Sequence, residues 1–389
     1  MQPWLIAYIC ILLVGVSVLV MLWGEHINQR PTVILTMVFG IPSLCWGLLV
    51  GGRWLFYASQ QLFAHYWDER HWQDLRQQTQ RGRRSLQILH ISFRTAFDDN
   101  CSERQLSSLM QNEIALKAQR SWQDKDAVRH SRLLMRIEEL TEKEIQRHLR
   151  SIVDDLAETM AFLPAETSVF FVFESNTELS NESMDRLWQE ACENAGISQP
   201  VCRVQGSGLS VIDDWLDNHI NESALLVVVA LQIHPQDPDM TAESAVGLIF
   251  GNRLTQRSLI PLAYLHRPEL GQRASLGYSV RQALDWVPLA PESVKHAWLS
   301  GVSPQNSEAV MKVLEDVSLD VAHDRGLYDL DSSLGHPGCV APWLAIAAAA
   351  QAAQVTSSSQ CMFIGAAPPE AGVWSAVVSP YTTSQEFAR

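Results

Sequence analysis

Two uninterrupted apolar runs lie close together in the chain: ALLVVVAL at residues 224–231 and SAVGLIF at residues 244–250. Apolar runs without polar alternation are typical of strands that are buried on both faces of a sheet. Residues 184–195 and 209–219, which precede the first run, have helical periodicity. Buried strands that alternate with helices predict a layered α/β fold.

The same alternation continues in both directions along the chain. Upstream, VFFVF at 169–173 predicts a further buried strand, residues 141–162 an amphipathic helix, and residues 86–96 a strand. Downstream, WLAIAAAAQAA at 343–353 predicts an Ala-rich helix. Residues 102–136 show only a weak helical period.

These patterns divide the chain into three expected regions. We expect a transmembrane hairpin over residues 1–56, a juxtamembrane helix with a small α/β segment over 57–150, and an α/β domain over 151–389. The pattern leaves open whether residues 86–160 form a domain of their own.

The hairpin is predicted from two uncharged segments, 3–23 and 32–52. Each has about 20 residues, the length that crosses the hydrocarbon of a bilayer as a helix. A cleaved signal peptide would need a basic start and a small-residue cleavage site. Only Met1 and Gln2 precede the first segment, so a membrane span is the favoured interpretation.

The basic residues predict the orientation of this hairpin. The connector at 24–31 holds one arginine, whereas Arg53, Arg81, Arg83 and Arg84 follow the second segment. Positive charge remains on the cytoplasmic side of a membrane. We therefore expect both ends and the soluble region to face the cytoplasm.

Charge and motif content exclude several classes of function. The chain has 389 residues with 29 basic and 43 acidic side chains, a formal net charge of −14, which disfavours nucleic acid as a partner. Its seven cysteines form no CxxC pair, and no HExxH, GxSxG, P-loop or GxGxxG motif occurs. We expect neither a metal site nor a bound cofactor.

Three motifs in a fixed order carry a resemblance to a known family. QGSGL at 205–209 leads a helix, ESAVGLIF at 243–250 is similar to an E-x-A-x-x-x-x-L strand, and DSSLGHP at 331–337 is similar to K-S-x-x-G-H. The chain from 164 to 378 resembles the thiolase-like fold of β-ketoacyl synthases. This resemblance implies condensing enzymes that use a nucleophilic cysteine at a helix start, two histidines and a lysine.

The chain departs from that family at the nucleophile. The matching positions hold Gln205 and Gly206, and Cys202 lies a few residues too early. We expect Cys202 to be a buried core thiol, since free cysteine is usually buried. A condensing enzyme needs a thiolate stabilised by a helix N-terminus, so the chemistry implied by the family is expected to be absent.

The other catalytic positions depart as well. The H-G-T-G-T motif of the family is expected near residues 296–305, where the chain lacks that pattern, and Asp331 replaces the lysine. His336 alone matches, as a relic catalytic candidate. Since Gly335 precedes it and Pro337 follows it, His336 is better interpreted as part of a turn.

One weak binding candidate remains. Gly206, Ser207 and Gly208 precede a predicted helix and could hold an anion through backbone N–H groups. The alternative interpretation is a helix cap in a flexible turn, because serine is a favoured cap residue.

The combined features favour a membrane-anchored, non-catalytic adaptor or chaperone that binds a protein partner. The architecture is similar to accessory proteins beside lipase effectors of type VI secretion systems, which implies a secretion effector or spike protein as partner and a bacterial inner-membrane location. The alternatives are a membrane-bound acyl-transfer or acyl-binding enzyme that uses His336, and an assembly subunit of an envelope complex. Thiolase-like folds pair across a sheet edge, so a homodimer is also expected.

Overall fold

The computed structural model describes residues 2–23, 36–97, 102–122, 127–133, 141–176, 180–317, 319–321 and 326–381. It divides into two compact units, residues 1–78 and 79–389. The domain boundary expected at residue 150 therefore falls inside the larger unit.

The helices include those predicted at 141–162, 184–195, 209–219 and 343–353, and also helices that the sequence pattern did not indicate, at Leu276–Trp286 and Leu330–Leu334. They are α1 (Gln2–Trp23), α2 (Ile41–Gly82), α3 (Ser102–Met110), α4 (Thr141–Met160), α5 (Asn181–Asn194), α6 (Leu209–Asn218), α7 (Leu276–Trp286), α8 (Pro304–Asp316), α9 (Leu330–Leu334) and α10 (Ala341–Thr356). A π-helical turn, Thr36–Gly40, leads into α2.

The strands include every buried run that the sequence predicts. They are β1 (Ser85–Arg94), β2 (Lys117–Gln119), β3 (Val128–Ser131), β4 (Ser168–Ser175), β5 (Val201–Arg203), β6 (Ala224–Gln232), β7 (Thr241–Ala242), β8 (Ser244–Asn252), β9 (Ala263–His266), β10 (Glu269–Gly271), β11 (His296–Ser300), β12 (Leu327–Asp329), β13 (Gln360–Gly365) and β14 (Val373–Pro380).

In the smaller unit, α1 packs against the beginning of α2. The Tyr8 hydroxyl lies 2.8 Å from the Ser43 hydroxyl, and the Trp46 indole N–H donates to the carbonyl of Trp4 at 3.1 Å. The start of the second predicted span, at residues 32–35, lies outside the described residues.

One helix in the described chain, α10 together with the 3-10 turn Gly338–Val340 that leads into it, is long and apolar enough to cross a membrane by length and composition. It is mostly buried inside the protein, as the core helix of a folded domain is. The apolar stretch Trp4–Val18 is shorter.

The main sheet of the larger unit is built from two halves with the same topology. The first half has the order β5-β4-β6-β8-β1 and the second the order β12-β11-β13-β14-β9. Counted along the chain within each half, both orders read third, second, fourth, fifth, first. In both halves the fifth strand runs antiparallel to its neighbours. The first strands, β1 and β9, pair antiparallel and join the halves.

Each half-sheet is buried on both faces. In β6, Leu226 and Val228 belong to a central apolar core with α6 and α10, whereas Leu225 and Val227 belong to a second core with α4 and α5. Alternate residues of β13 likewise face the central core and a third core that contains α7 and α8. Because successive strand residues point to opposite faces, the layers are helix, half-sheet, helix, half-sheet, helix. The predicted layered α/β fold is confirmed.

The segment after β1 is integrated into the larger unit. β1 lies between β8 and β9, at the centre of the main sheet. The weak helical period over 102–136 indicates a helix, but the helix ends at Met110. The strands β2 and β3 follow it and form a small sheet with β7. These strands have only three and four residues, too few to show an alternating pattern.

The small side chains of α10 are required by its position. Ala348 is fully buried, and α10 packs against strands of both half-sheets. We predict that Ala348→Leu lowers the free energy of unfolding by about 1–3 kcal/mol, because overpacking forces neighbouring side chains out of their rotamers. Urea denaturation followed by tryptophan fluorescence measures this.

The matched control for this variant is Val355→Ala, on an exposed position of the same helix. It should change the free energy of unfolding by no more than about 0.5 kcal/mol. An unchanged stability of Ala348→Leu would show that α10 does not lie tightly between the two half-sheets.

Candidate functional site

The candidate site residues lie along the edge of the main sheet that is formed by the carboxyl ends of its parallel strands. Chain segments leave β4 and β5 there in the first half, and β11 and β12 in the second. The loop from β5 leads into α6, and the segment after β12 leads through α9 to His336. In open α/β sheets, the carboxyl ends of the strands are where side chains from different strands converge.

The glycine-rich turn before α6 is held by a carboxylate of the protein itself. The backbone N–H of Gly208 donates to Oε1 of Glu174 at 2.8 Å, and the Trp343 indole N–H donates to the same oxygen at 3.0 Å. Gly208 is the cap residue and has a φ of 57°, which glycine adopts readily. Ser207 and Gly206 are exposed. Gly208, and not Ser207, is the cap residue, and no side-chain hydrogen bond caps the helix.

Glu174 is buried at the end of β4. Burial raises the pKa of its carboxyl group, and the hydrogen bonds from Gly208 and Trp343 act in the opposite direction. A carboxylate at a helix N-terminus is favoured by the helix dipole. It occupies the first free N–H group of the helix, which a bound anion would otherwise use.

Cys202 and Cys339 have different surroundings. Cys202 is exposed, so the expectation that it is a buried core thiol is wrong. The reason is that β5 is the last strand of its half-sheet and all three of its residues are exposed. The Cys339 thiol donates to the carbonyl of Leu231 at 3.6 Å. Burial, together with the charge of Glu174, raises the pKa of Cys339 to about 12.

His336 lies in a loop whose backbone is tightly fixed. Its N–H donates to the carbonyl of Met240 at 2.8 Å, and its carbonyl accepts from Gln232 Nε2 at 2.8 Å. Gly335 before it has a φ of 102°, and a β-carbon there would lie 2.6 Å from the carbonyl oxygen of Thr241. The imidazole itself is 55% exposed. The loop thus holds the backbone and leaves the ring accessible.

Asp331 connects this loop to the end of β11. Its Oδ1 accepts the N–H of Gly301 at 2.9 Å, and its Oδ2 lies 3.7 Å from Nδ1 of His336. Burial raises the pKa of Asp331 to about 7, and the partial burial of the His336 ring lowers its pKa. Asp331 and Glu174 therefore have parallel roles, since each carboxylate holds one backbone N–H group at this edge.

The residues of β11 itself place no imidazole at its carboxyl end. The strand ends at Ser300, which Gly301 follows, whereas His296 begins the strand and its Nδ1 lies 3.1 Å from the Tyr328 hydroxyl. Five strand residues span roughly 15 Å, so His296 lies far from this edge. His336 is the imidazole that the structure places beside Gly301.

A second polar cluster lies nearby but is enclosed. Nε2 of His234 lies 3.2 Å from Oε2 of Glu144 and 3.6 Å from Oε1 of Glu243, and Trp122 stacks on the His234 ring. Burial raises the pKa of Glu243, whose side chain is fully enclosed, to about 7. Within the described ranges, no group of three or more His, Cys, Asp or Glu residues could hold a metal ion.

His336 and the glycine-rich turn are candidates that the sequence indicates, whereas Glu174 was not predicted. That residue lies 34 positions from Gly208 and 169 from Trp343, so no local motif connects them. A polar residue at the end of a buried apolar run, as in VFFVFES at 169–175, is the only signal that could have indicated it.

The two hydrogen bonds of Glu174 give a stability prediction. Glu174→Ala leaves the Gly208 and Trp343 N–H groups without an acceptor, so we expect a loss of about 2–4 kcal/mol in the free energy of unfolding. Glu174→Gln retains an oxygen in the same place and should lose less than about 1.5 kcal/mol. Urea denaturation measures both, and equal losses would show that the hydrogen bonds are unimportant.

Asp331 gives a pH-dependent prediction. Its folded pKa of about 7 lies above the ordinary value of 3.8, so the folded protein retains this proton longer than the unfolded chain. The stabilising effect of the neutral carboxyl is complete below the ordinary pKa and disappears as the pH rises to about 7. Relative to the native protein, Asp331→Asn should gain about 1–3 kcal/mol between roughly pH 5 and pH 8. Parallel stability curves in that window would contradict the raised pKa.

Comparison with known proteins identifies the fold. No protein-family profile and no curated protein sequence matches the chain. Among solved structures, the ishigamide ketosynthase/chain length factor is similar with a TM-score of 0.58 and 12% identity, over 77% of this chain and 100% of that chain.

Two further structures agree. A ketosynthase domain of oxazolomycin biosynthesis from Streptomyces albus JA3453 has a TM-score of 0.50 and 10% identity, over 77% of this chain and 96% of that one. The PfaC keto synthase-chain length factor has a TM-score of 0.53 and 10% identity, also over 77% of this chain. The chain spans only 43% of the length of that protein. These similarities show that the protein has the thiolase-like ketosynthase fold.

Proposed function

We propose that this protein is a membrane-anchored, non-catalytic adaptor or chaperone that binds a protein partner. The observation that carries the proposal is the position of Glu174. Its carboxylate binds the N–H of Gly208, at the helix start where the resemblance implies a nucleophilic cysteine.

The chemistry of a thiolate is opposed at this position. A cysteine nucleophile becomes reactive when positive charge or a helix N-terminus lowers its pKa. Here the helix N-terminus is neutralised by a negative group, and that group also raises the pKa of Cys339. At a pKa of about 12, roughly one thiol in 10⁵ is ionised at neutral pH.

The remaining polar groups do not replace the missing nucleophile. A condensing reaction needs hydrogen-bond donors for a developing oxyanion as well as a base. Asp331 already occupies the N–H of Gly301. The fold is therefore retained while the groups at its site bind to each other.

The anchor remains a proposal based on the sequence and supported by the smaller unit. Side chains such as Leu13, Val14 and Leu48 are more than half exposed on α1 and α2. Exposed apolar side chains on two helices in contact are suited to a lipid environment. With the basic residues after the second segment, this supports a bacterial inner-membrane protein whose larger unit faces the cytoplasm.

The partner class comes from the resemblance to accessory proteins of type VI secretion lipase effectors, and we retain it as part of the proposal. The exposed strand β5 supports self-association as well. An edge strand presents free N–H and carbonyl groups that can pair with a second copy. A homodimer and a bound effector or spike protein are compatible, since they need different surfaces.

Co-purification tests this function. Tagged protein extracted from its native membranes in mild detergent should bring down one partner in stoichiometric amount, identified by mass spectrometry. The His336→Ala variant should retain the partner, because the proposal assigns His336 no catalytic role. An eluate without a stoichiometric partner would contradict the adaptor function.

The second candidate is a membrane-bound acyl-transfer or acyl-binding enzyme. The exposed imidazole of His336, 3.7 Å from Asp331, and the ketosynthase-like fold favour it. It requires binding of acyl thioesters and loss of that binding or activity in His336→Ala. Titration calorimetry with acyl-CoA distinguishes the two functions, since the adaptor proposal expects no heat of binding.

A further inference from the structure

A groove lies at the opposite edge of the main sheet from the candidate site, where β6 and the strands parallel to it begin. It is bordered by the turn from α2 into β1 and by the loop between β8 and β9, and it has a volume of about 1150 Å³. β6 begins at this edge and ends beside the candidate site, so its length of about 30 Å separates the two. The groove is therefore independent of the residues discussed above.

The groove is basic although the chain is strongly acidic. Arg83, Arg84, Arg253 and Arg257 line it, and none of its described lining residues carries a carboxylate. Arg84 donates to the carbonyl of Leu216 at 2.9 Å and lies 3.8 Å from the Asp217 carboxylate, so it is held in place and its charge is partly balanced. Arg83 and Arg257 are exposed and make no ion pair among the described residues. A basic groove on a chain of net charge −14 is a local feature that selects anionic groups.

Two buried amides in the groove have unused hydrogen-bonding capacity. Oε1 of Gln87 and Nε2 of Gln256 have no partner among the described atoms, and both side chains are more than nine-tenths buried. Both residues line the groove. Buried polar groups are nearly always hydrogen-bonded in native proteins. Two buried amide atoms without partners beside a cavity therefore indicate a bound group that supplies the partners.

The apolar lining adds a further requirement. Leu254 and Ile260 are 57% and 77% exposed, and Tyr264 and Tyr381 also line the groove. A free phosphate would use the arginines but not these side chains. An extended peptide presents alternating side chains as well as backbone N–H and carbonyl groups. A backbone N–H can donate to Oε1 of Gln87, and a backbone carbonyl can accept from Nε2 of Gln256.

We propose that this groove binds an extended peptide segment of a protein partner, in which acidic side chains alternate with apolar ones. The acidic side chains contact Arg83 and Arg257, the apolar ones contact Leu254 and Ile260, and the backbone pairs with Gln87 and Gln256. This deepens the proposed adaptor function and rests on it, since it specifies the segment that the partner carries. A nucleic acid strand is disfavoured, because its charged backbone would extend beyond the groove onto an acidic surface.

Fluorescence anisotropy with the full-length protein in detergent tests the inference. The probe is a labelled peptide of about twelve residues in which Glu alternates with Leu. It should bind, and binding should weaken by about tenfold or more in the double variant Arg83→Glu/Arg257→Glu. The matched double variant Arg150→Glu/Lys312→Glu, at exposed positions elsewhere with the same change of charge, should bind like the native protein.

A second variant distinguishes specific hydrogen bonding in the groove from general charge attraction. Gln87→Leu leaves the net charge unchanged and replaces an amide whose oxygen has no partner, so the fold should be retained. It should nevertheless weaken peptide binding several-fold. A peptide with Gln in place of Glu should not bind, and oligothymidylate of similar length should not compete.

Three results would overturn the inference: no binding of the acidic peptide, equal loss in both double variants, or binding of oligothymidylate in preference to the peptide. The adaptor function is judged separately by co-purification. If the Arg83→Glu/Arg257→Glu protein still retains its stoichiometric partner, the groove assignment fails and the adaptor function stands.

Discussion

The carboxylate of Glu174 connects parts of the fold that are far apart in the chain. It extends from the end of β4 and accepts hydrogen bonds from the start of α6 and from Trp343 in α10. α6 belongs to the first half, where it connects β5 to β6, and α10 belongs to the second half and packs in the central core. One buried acceptor therefore fixes both central helices against the first half-sheet. Since a buried acceptor is costly when unpaired, the three groups stabilise one another.

The repeated topology explains why the site is located at this edge. Both halves place the ends of their second and third strands there, and each half contributes one carboxylate that holds a backbone N–H group. Glu174 does this in the first half and Asp331 in the second. The resemblance to ketosynthases implies a nucleophilic cysteine just before the helix start that Glu174 contacts, and a lysine at the position of Asp331. Here the polar groups at this edge bind to each other, which supports the proposed loss of catalysis.

The sequence predicted the central strands well for a physical reason. Strands buried on both faces, such as β6 and β8, must be apolar throughout, and that pattern is visible without any knowledge of the fold. Short strands such as β2 and β3 carry no such pattern, so they were missed. The exposure of Cys202 was also wrongly predicted, because the edge position of β5 depends on strand order. The role of Glu174 depends on contacts over 34 and 169 residues, which only the folded chain brings together.

The proposed function requires that the site has lost its nucleophile while the fold is retained. Intact-mass spectrometry after incubation with acetyl-CoA and malonyl-CoA at neutral pH measures whether an acyl group becomes attached to the protein. We expect an unchanged mass, because the helix start carries a carboxylate and the Cys339 thiol, with a pKa of about 12, remains protonated. A stoichiometric acyl adduct that disappears in Cys339→Ser or Cys202→Ser would contradict it.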